Sequence, residues 1–244
     1  MHDKINGIYY ELIENSSTKE NLVFVHGSGC NHNFLRPLSK KLNNCNCYLI
    51  DLPDHGKSDN MNCTKVEEYI DAVEKFVVNI DNVTLIGHSL GGTICLGVAA
   101  RSVHTIKKLV LISSGAKFDK FDQKVYDMVD NNKVNWIYIC KCLGSFTNLN
   151  VLKTILTLEP SEVMLKDFNI NVKVDITNVM SNINIPTLIM VGNDDILTIP
   201  EYSYVMKDGI KDSQLIIVPG VRHMLPIAKK SYVSQLIKEF MLKE

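Results

Sequence analysis

Six short apolar runs recur along the chain: "NLVFV" (21–25), "CYLID" (47–51), "VTLIG" (83–87), "LVLIS" (109–113), "TLIMV" (187–191) and "LIIV" (215–218). They are continuous rather than alternating, the pattern of strands buried on both faces of a parallel sheet. Between most of them the period changes. In "TKVEEYIDAVEKFVVNI" the apolar positions Val66, Tyr69, Ile70, Val73, Phe76, Val77 and Ile80 share one helical face. Thr64, with Glu67 three residues on, reads as a capping box at its start. The last segment, "SYVSQLIKEFML", has the same amphipathic habit. Alternating strands and helices predict an α/β fold with a mostly parallel sheet flanked by helices. The early "IYYELIE" adds an antiparallel edge strand.

One interval breaks the alternation. From Ser114 to Ile185 no strand pattern stands out, and helical pieces follow one another: "DQKVYDMVDN", "VNWIYICKCLG", "NVLKTILTL" and "SEVMLKDF". The interval is too long for a loop in a compact domain. It reads as a helical cap insertion over one edge of the sheet. The expected organisation is core over 1–115, cap over 116–184 and core again over 185–244.

Composition narrows the class without naming a function. The 244 residues suit one α/β domain with an insertion, and 45% hydrophobic with 22% charged is ordinary for a soluble globular protein. The net charge is −1, with no Lys/Arg block to attract nucleic acid. The N-terminal stretch lacks the apolar region of a secretory signal. No apolar run approaches the ~20 residues of a membrane span. The seven cysteines show neither a disulfide framework nor zinc-site spacing, so reduced thiols in a cytoplasmic protein are expected.

The chemistry centres on "VTLIGHSLGGTICLGVAA" (83–100), where a strand gives way to a helix at Ser89, between Gly87 and Gly91. Gly-x-Ser-x-Gly at such a junction is a nucleophile elbow, which lifts a strained serine above the sheet beside a helix N-terminus. A serine hydroxyl needs a base, and the base needs an orienting carboxylate. On this architecture the order is Ser, acid, His. "GNDDILTIP" follows one strand and "PGVRHMLP" the next, giving Asp195 as acid and His223 as base. Asp194 competes with Asp195, which stands further out of the strand. Oxyanion donors are expected from the backbone N–H of Leu90 and, in the "HGSGCN" loop after the first long run, that of Ser28. His26 and His32 lack a third ligand at useful spacing, so no metal is expected, nor any cofactor. The same loop lacks the third glycine and the lysine that nucleotide binding would need.

At these residues the chain resembles the α/β-hydrolase superfamily, in its cap-bearing serine esterase-like members. "HGSG" (26–29), "DLPDHGKSD" (51–59), "GHSLGG" (87–92), "GNDDILTIP" (192–200) and the segment 219–241 occur in that family's order. The resemblance spans nearly the whole chain except the cap. It implies Ser89 as nucleophile, Asp195 as acid, His223 as base, and Ser28 and Leu90 as oxyanion donors. Two departures stand out. Asp54-His55-Gly56 replaces Gly-His-Gly, and Asp tolerates a left-handed backbone better than most residues. Arg222 replaces a glycine before the histidine, and a guanidinium there would disfavour an imidazolium unless it points away.

The expected activity is hydrolysis of a carboxylic ester of a small or medium acyl substrate through an acyl-enzyme. Thioesterase, lactonase and carbon–carbon bond hydrolase chemistry use the same triad. A ligand receptor that keeps the triad without turnover is the alternative of another class. Cys30, Phe118, Trp136, Tyr138 and Phe146 are the candidate pocket residues. The expected partner is a small-molecule ester, with no nucleic acid and no membrane span. The sequence leaves the oligomeric state open.

Overall fold

The computed structural model describes residues 1–15, 18–144 and 148–242. Its centre is an eight-stranded sheet in the order β1-β2-β4-β3-β5-β6-β7-β8. The strands are β1 His2–Ile5, β2 Ile8–Ile13, β3 Asn21–Val25, β4 Asn46–Ile50, β5 Val83–His88, β6 Ile106–Ile112, β7 Thr187–Gly192 and β8 Ser213–Val218. From β4 to β8 every pairing is parallel. Each of the six apolar runs contributes a strand. All six β5 residues are buried, as the continuous pattern requires of a central strand.

The edge of the sheet differs from expectation. Residues 8–13 do form a strand antiparallel to β4, but β1 pairs with its other side and is the true edge. The turn between them is Asn6-Gly7, with φ of 50° and 80°. An Asn-Gly pair accepts two positive φ values in succession, which is why it closes a tight hairpin.

Two groups of helices cover the sheet. α2 (Val66–Val77) packs on α3 (Leu90–Ala99), while α1 (Arg36–Ser39) packs on α10 (Lys230–Met241). α8 (Pro200–Gly209) lies against β7 and β8, and α9 (Leu225–Ala228) against α10. The start of α2 is shifted from the predicted capping box. Glu68, not Glu67, reaches back, and its Oε2 accepts from the backbone N–H of Thr64 at 2.6 Å and Lys65 at 3.0 Å. The helix begins one residue later than Thr64 capping would set it.

Between β6 and β7 lie α4 (Gln123–Asp130), α5 (Trp136–Leu143), α6 (Leu149–Ile155), α7 (Ser161–Asn171) and a 3-10 helix, Thr177–Asn182. Four helices were expected there, and the 3-10 turn was not. The only β pairing among the described residues of this interval is one bridge, Lys117 with Asp175. All seven cysteines are free thiols. No described helix is long and apolar enough to cross a membrane.

Register aligns the strand ends that matter. Val25 pairs with Gly87, His88 with Ile112, and Gly192 with Val218. The loops after β3, β5, β7 and β8 therefore leave the sheet along one carboxyl edge. β3 lies between β4 and β5, so chain order reverses beside it. Open α/β sheets place their chemistry at such a reversal.

Candidate active site

Ser89 joins β5 to α3 with φ 54° and ψ −125°, a conformation L-residues rarely adopt. Its neighbours explain how the strain is held. A Cβ on Gly87 would lie 2.4 Å from the carbonyl oxygen of Gly91, and one on Gly91 would lie 2.3 Å from the carbonyls of Val25 and His26. Both positions are closed to any side chain. Gly92 is equally constrained, since a Cβ there would meet the Ser114 side chain at 2.5 Å. The turn is pinned by Ser89 N–H donating to Ile112 O at 3.1 Å and Ser114 Oγ donating to Ser89 O at 2.7 Å.

The loop after β7 turns Asp195 inward and Asp194 outward. Asp195 is buried, whereas Asp194 is exposed and its carboxylate accepts from Asn193. Asp195 Oδ1 accepts the N–H groups of Leu197 and Thr198, each at 2.9 Å. Its Oδ2 accepts from Thr198 Oγ1 at 2.8 Å and stands 2.9 Å from His223 Nδ1. Burial works to raise this carboxyl, but the imidazole and these donors prevail and hold it below the ordinary Asp value. Thr198 Oγ1 also lies 3.0 Å from His223 Nδ1. With the hydroxyl proton given to Asp195, that oxygen can accept only from an Nδ1–H. Two acceptors on Nδ1 leave Nε2 as the basic nitrogen. Thr198 was not anticipated. It is one of many threonines, and only the folded turn brings it between acid and imidazole.

His223 follows β8 and is held from two sides. Its N–H donates to Cys142 O of α5 at 3.4 Å, and its own carbonyl lies 3.0 Å from His88 Nε2. Burial first, and His223 beside it second, push His88 down to about 3, so it is neutral. Arg222 turns away from the imidazole: Nη1 donates to Lys141 O at 2.6 Å, at the end of α5. Asp54 adopts the left-handed backbone at φ 66°, and its carboxylate accepts the N–H groups of Met61, Asn62 and Cys63.

Ser89 and His223 line one narrow cavity of about 40 Å³, together with Gly27, Ser28, Cys30, Phe34 and His88. Its remaining walls are Ile139, Leu143, Leu158, Met164, Phe168, Leu197 and Met224. No Asp, Glu, Lys or Arg is among them. Ser89 is 7% exposed and His223 3%, and no hydrogen bond joins their side chains among the described residues. Leu90 N–H, first in its helix, has no intrahelical acceptor. Ser28 N–H likewise has no partner among the described residues, while the next two N–H groups of its loop are bonded, Gly29 to Asp167 and Cys30 to Gly27 O.

Of the candidate pocket residues, Cys30 lines the cavity. Its thiol is driven far up, chiefly by burial, and is un-ionised. Phe118 is held elsewhere, stacked on Phe121 at 5.2 Å and edge-on to Tyr202 at 5.4 Å. Trp136 is 40% exposed on the outer side of α5. Tyr138 is buried beneath Lys124, away from the cavity wall. Phe146 lies outside the described residues. From α5 the wall takes Ile139 and Leu143, four residues apart, in place of the expected Trp136 and Tyr138, and its phenyl rings are those of Phe34 and Phe168.

An eight-stranded, mostly parallel sheet with a strained serine at a strand–helix turn and an Asp–His pair on the same edge defines an α/β-hydrolase architecture. Comparison with known proteins agrees. The family model for the alpha/beta hydrolase fold matches residues 20–133. A crystal structure of a lipase-esterase related protein from Clostridium acetobutylicum superposes with a TM-score of 0.93 at 35% identity, over 96% of this chain and 99% of that one. A proline iminopeptidase of Saccharolobus solfataricus is 27% identical over 96% of this chain and 88% of its own length. A pimeloyl-[acyl-carrier protein] methyl ester esterase of Wigglesworthia glossinidia brevipalpis is 27% identical over 96% and 98%. The chain belongs to the α/β-hydrolase family.

Proposed function

We propose that the protein is a serine carboxylesterase acting on esters of small or medium apolar acyl groups. The observation that carries this reading is the buried His223–Asp195 pair, 2.9 Å apart, opening onto the same cavity as the strained Ser89. Ser89 Oγ attacks the ester carbonyl and His223 Nε2 takes its proton. The oxyanion that forms is met by the N–H groups of Ser28 and Leu90. His223 returns the proton to the departing alkoxide, leaving an acyl-Ser89 ester. Water, deprotonated by His223, then attacks that ester and releases the acid. Asp195 and Thr198 hold the imidazole as the Nδ1–H tautomer, and Asp195 stabilises the imidazolium.

The walls support an uncharged acyl group. A substrate ammonium or carboxylate would be desolvated in this cavity with no counter-charge, at a cost of several kcal/mol per ion. That argues against a peptide with a free amino terminus and against a dicarboxylic half-ester held within the cavity. Residues 116–184 act as a cap domain between core segments 1–115 and 185–244, and they supply Ile139, Leu143, Leu158, Met164 and Phe168 to the wall. The free thiols fit a cytoplasmic setting.

A series of p-nitrophenyl esters of increasing acyl length tests the proposal. Turnover should be measurable for short neutral chains, fall for chains too long for the cavity, and be far weaker for acyl groups bearing a terminal charge. Ligand-induced stabilisation without turnover on any ester would replace this reading with that of a receptor.

A further inference from the structure

The insertion does more than roof the cavity, because one face of α7 grips the loop that carries Ser28. Met164, Asp167 and Asn171 are spaced i, i+3 and i+7, so they form one stripe of the helix. All three meet residues 28 and 29. A Cβ on Gly29 would lie 2.9 Å from Met164 Cβ, so helix and loop are in close contact there. Gly29 N–H donates to Asp167 Oδ2 at 2.8 Å. Asn171 Nδ2 donates to Ser28 Oγ at 2.9 Å. The opposite side of the same glycine is also bonded to the insertion, since Gly29 O accepts from Glu159 N–H at 2.8 Å. Both peptide groups of Gly29 are therefore fixed by residues that lie between β6 and β7.

Asp167 is fully buried, and its other contacts anchor it to the core. Oδ2 also lies 2.8 Å from His55 Nε2, and Oδ1 accepts from Tyr69 OH at 3.0 Å. The carboxylate thus gathers the loop after β3, the loop after β4 and helix α2 onto one turn of α7. Nothing in the proposed reaction uses this acid, which does not line the cavity. A buried acid is costly, and its stabilisation here by donors from three core segments points to a positioning task.

We propose that Asp167 and Asn171 are positioning residues that hold the 27–29 loop so that Ser28 N–H points at the developing oxyanion. The proposal rests on the serine hydrolase reading above. The mechanism is geometric. Gly29, at φ 61°, can rotate its peptide freely once Asp167 lets go, and Ser28 N–H sits one peptide away. An oxyanion donor acts only when preorganised, and a misplacement of about 1 Å can cost roughly 100-fold in rate.

Steady-state kinetics on a short p-nitrophenyl ester with Asp167→Asn and Asn171→Ala tests this, with folding checked by thermal melting. A parallel measurement is the affinity for a trifluoromethyl ketone, which forms a tetrahedral adduct bearing the oxyanion, and for the product carboxylic acid, which does not. The expected result is a fall in kcat of roughly 10- to 100-fold with KM within about threefold. Ketone affinity should fall in step with kcat/KM while acid affinity stays unchanged. Retention of kcat in both folded variants, or equal loss of ketone and acid affinity, overturns the proposal. If Asp167→Asn does not fold, Asn171→Ala decides by the same criteria. Fluorophosphonate labelling of Ser89 in the unaltered protein separates this failure from that of the underlying reading, because labelling without any effect of the α7 variants sinks the positioning role alone.

Discussion

His223 Nδ1 and Asp195 Oδ2 stand 2.9 Å apart in a buried contact between two different loops of the sheet's carboxyl edge. The pair gives the imidazole a fixed tautomer with its basic nitrogen left for substrate chemistry. Replacing Asp195 by Asn removes that control, since the amide can present a donor to Nδ1 and invert the tautomer. Asp195→Asn should lower kcat by about 10⁴-fold. Asp194→Asn, on the exposed side of the same turn, should leave kcat within about twofold, and rates for both variants on one ester check the contrast.

Thr198 shares the contact, so its loss should be felt without being fatal. Thr198→Val removes the hydroxyl that donates to Asp195 Oδ2 and leaves both N–H donors to Oδ1 in place. A drop in kcat of roughly 10-fold with melting temperature unchanged within a few degrees is expected, at the low end of the ~1.5–3 kcal/mol of a hydrogen bond to a charged group.

The elbow glycines carry a stability prediction. Gly91→Ala would drive a Cβ to 2.3 Å from two backbone carbonyls, which cannot retreat without moving β3. It should cost at least ~3 kcal/mol or prevent folding. Gly220→Ala makes the opposite case: φ is 67° but nothing lies within 4 Å, so only the left-handed strain of about 1–2 kcal/mol applies. Denaturant midpoints of the two variants compare them directly.

Two buried histidines predict acid sensitivity. Burial chiefly, aided by neighbouring histidines, pushes His26 down to about 4 and His88 to about 3. Both are neutral when folded but take up a proton near pH 6.5 when unfolded. The stability they confer is therefore complete above pH 6.5 and is lost as pH falls from there towards 4. Each contributes a slope of up to about 1.4 kcal/mol per pH unit in that window. His88→Gln keeps an N–H in reach of His223 O and removes one titrating group. Its melting temperature should fall less steeply than the parent's between pH 6.5 and 4.5, and parallel curves would contradict the assignment.

What could be read from the chain divides by range. β5, Ser89 and the two flanking glycines are contiguous, so the elbow is written in one local stretch. Asp195 and His223 follow strands whose apolar runs mark them, and strand order brings the two loops together. The hairpin that makes β1 the edge was also written locally, in Asn6-Gly7, but the flanking strand His2–Ile5 is too polar to announce itself. Apart from Cys30, the cavity wall was not legible. Whether Phe118 or Ile139 faces Ser89 depends on how short helices settle on the sheet, and side-chain size gives no guide to that. Asp167 was equally hidden, because its partners Gly29, His55 and Tyr69 lie more than ninety residues away in sequence.

The central claim is that Ser89 is a nucleophile activated by His223. Treatment of the folded protein with a fluorophosphonate, followed by peptide mass spectrometry, tests it most directly. The account predicts a single stoichiometric adduct on Ser89, lost in Ser89→Ala and strongly slowed in His223→Ala while both variants remain folded. An unmodified Ser89 in fully folded protein, or labelling that proceeds equally well without His223, would contradict it.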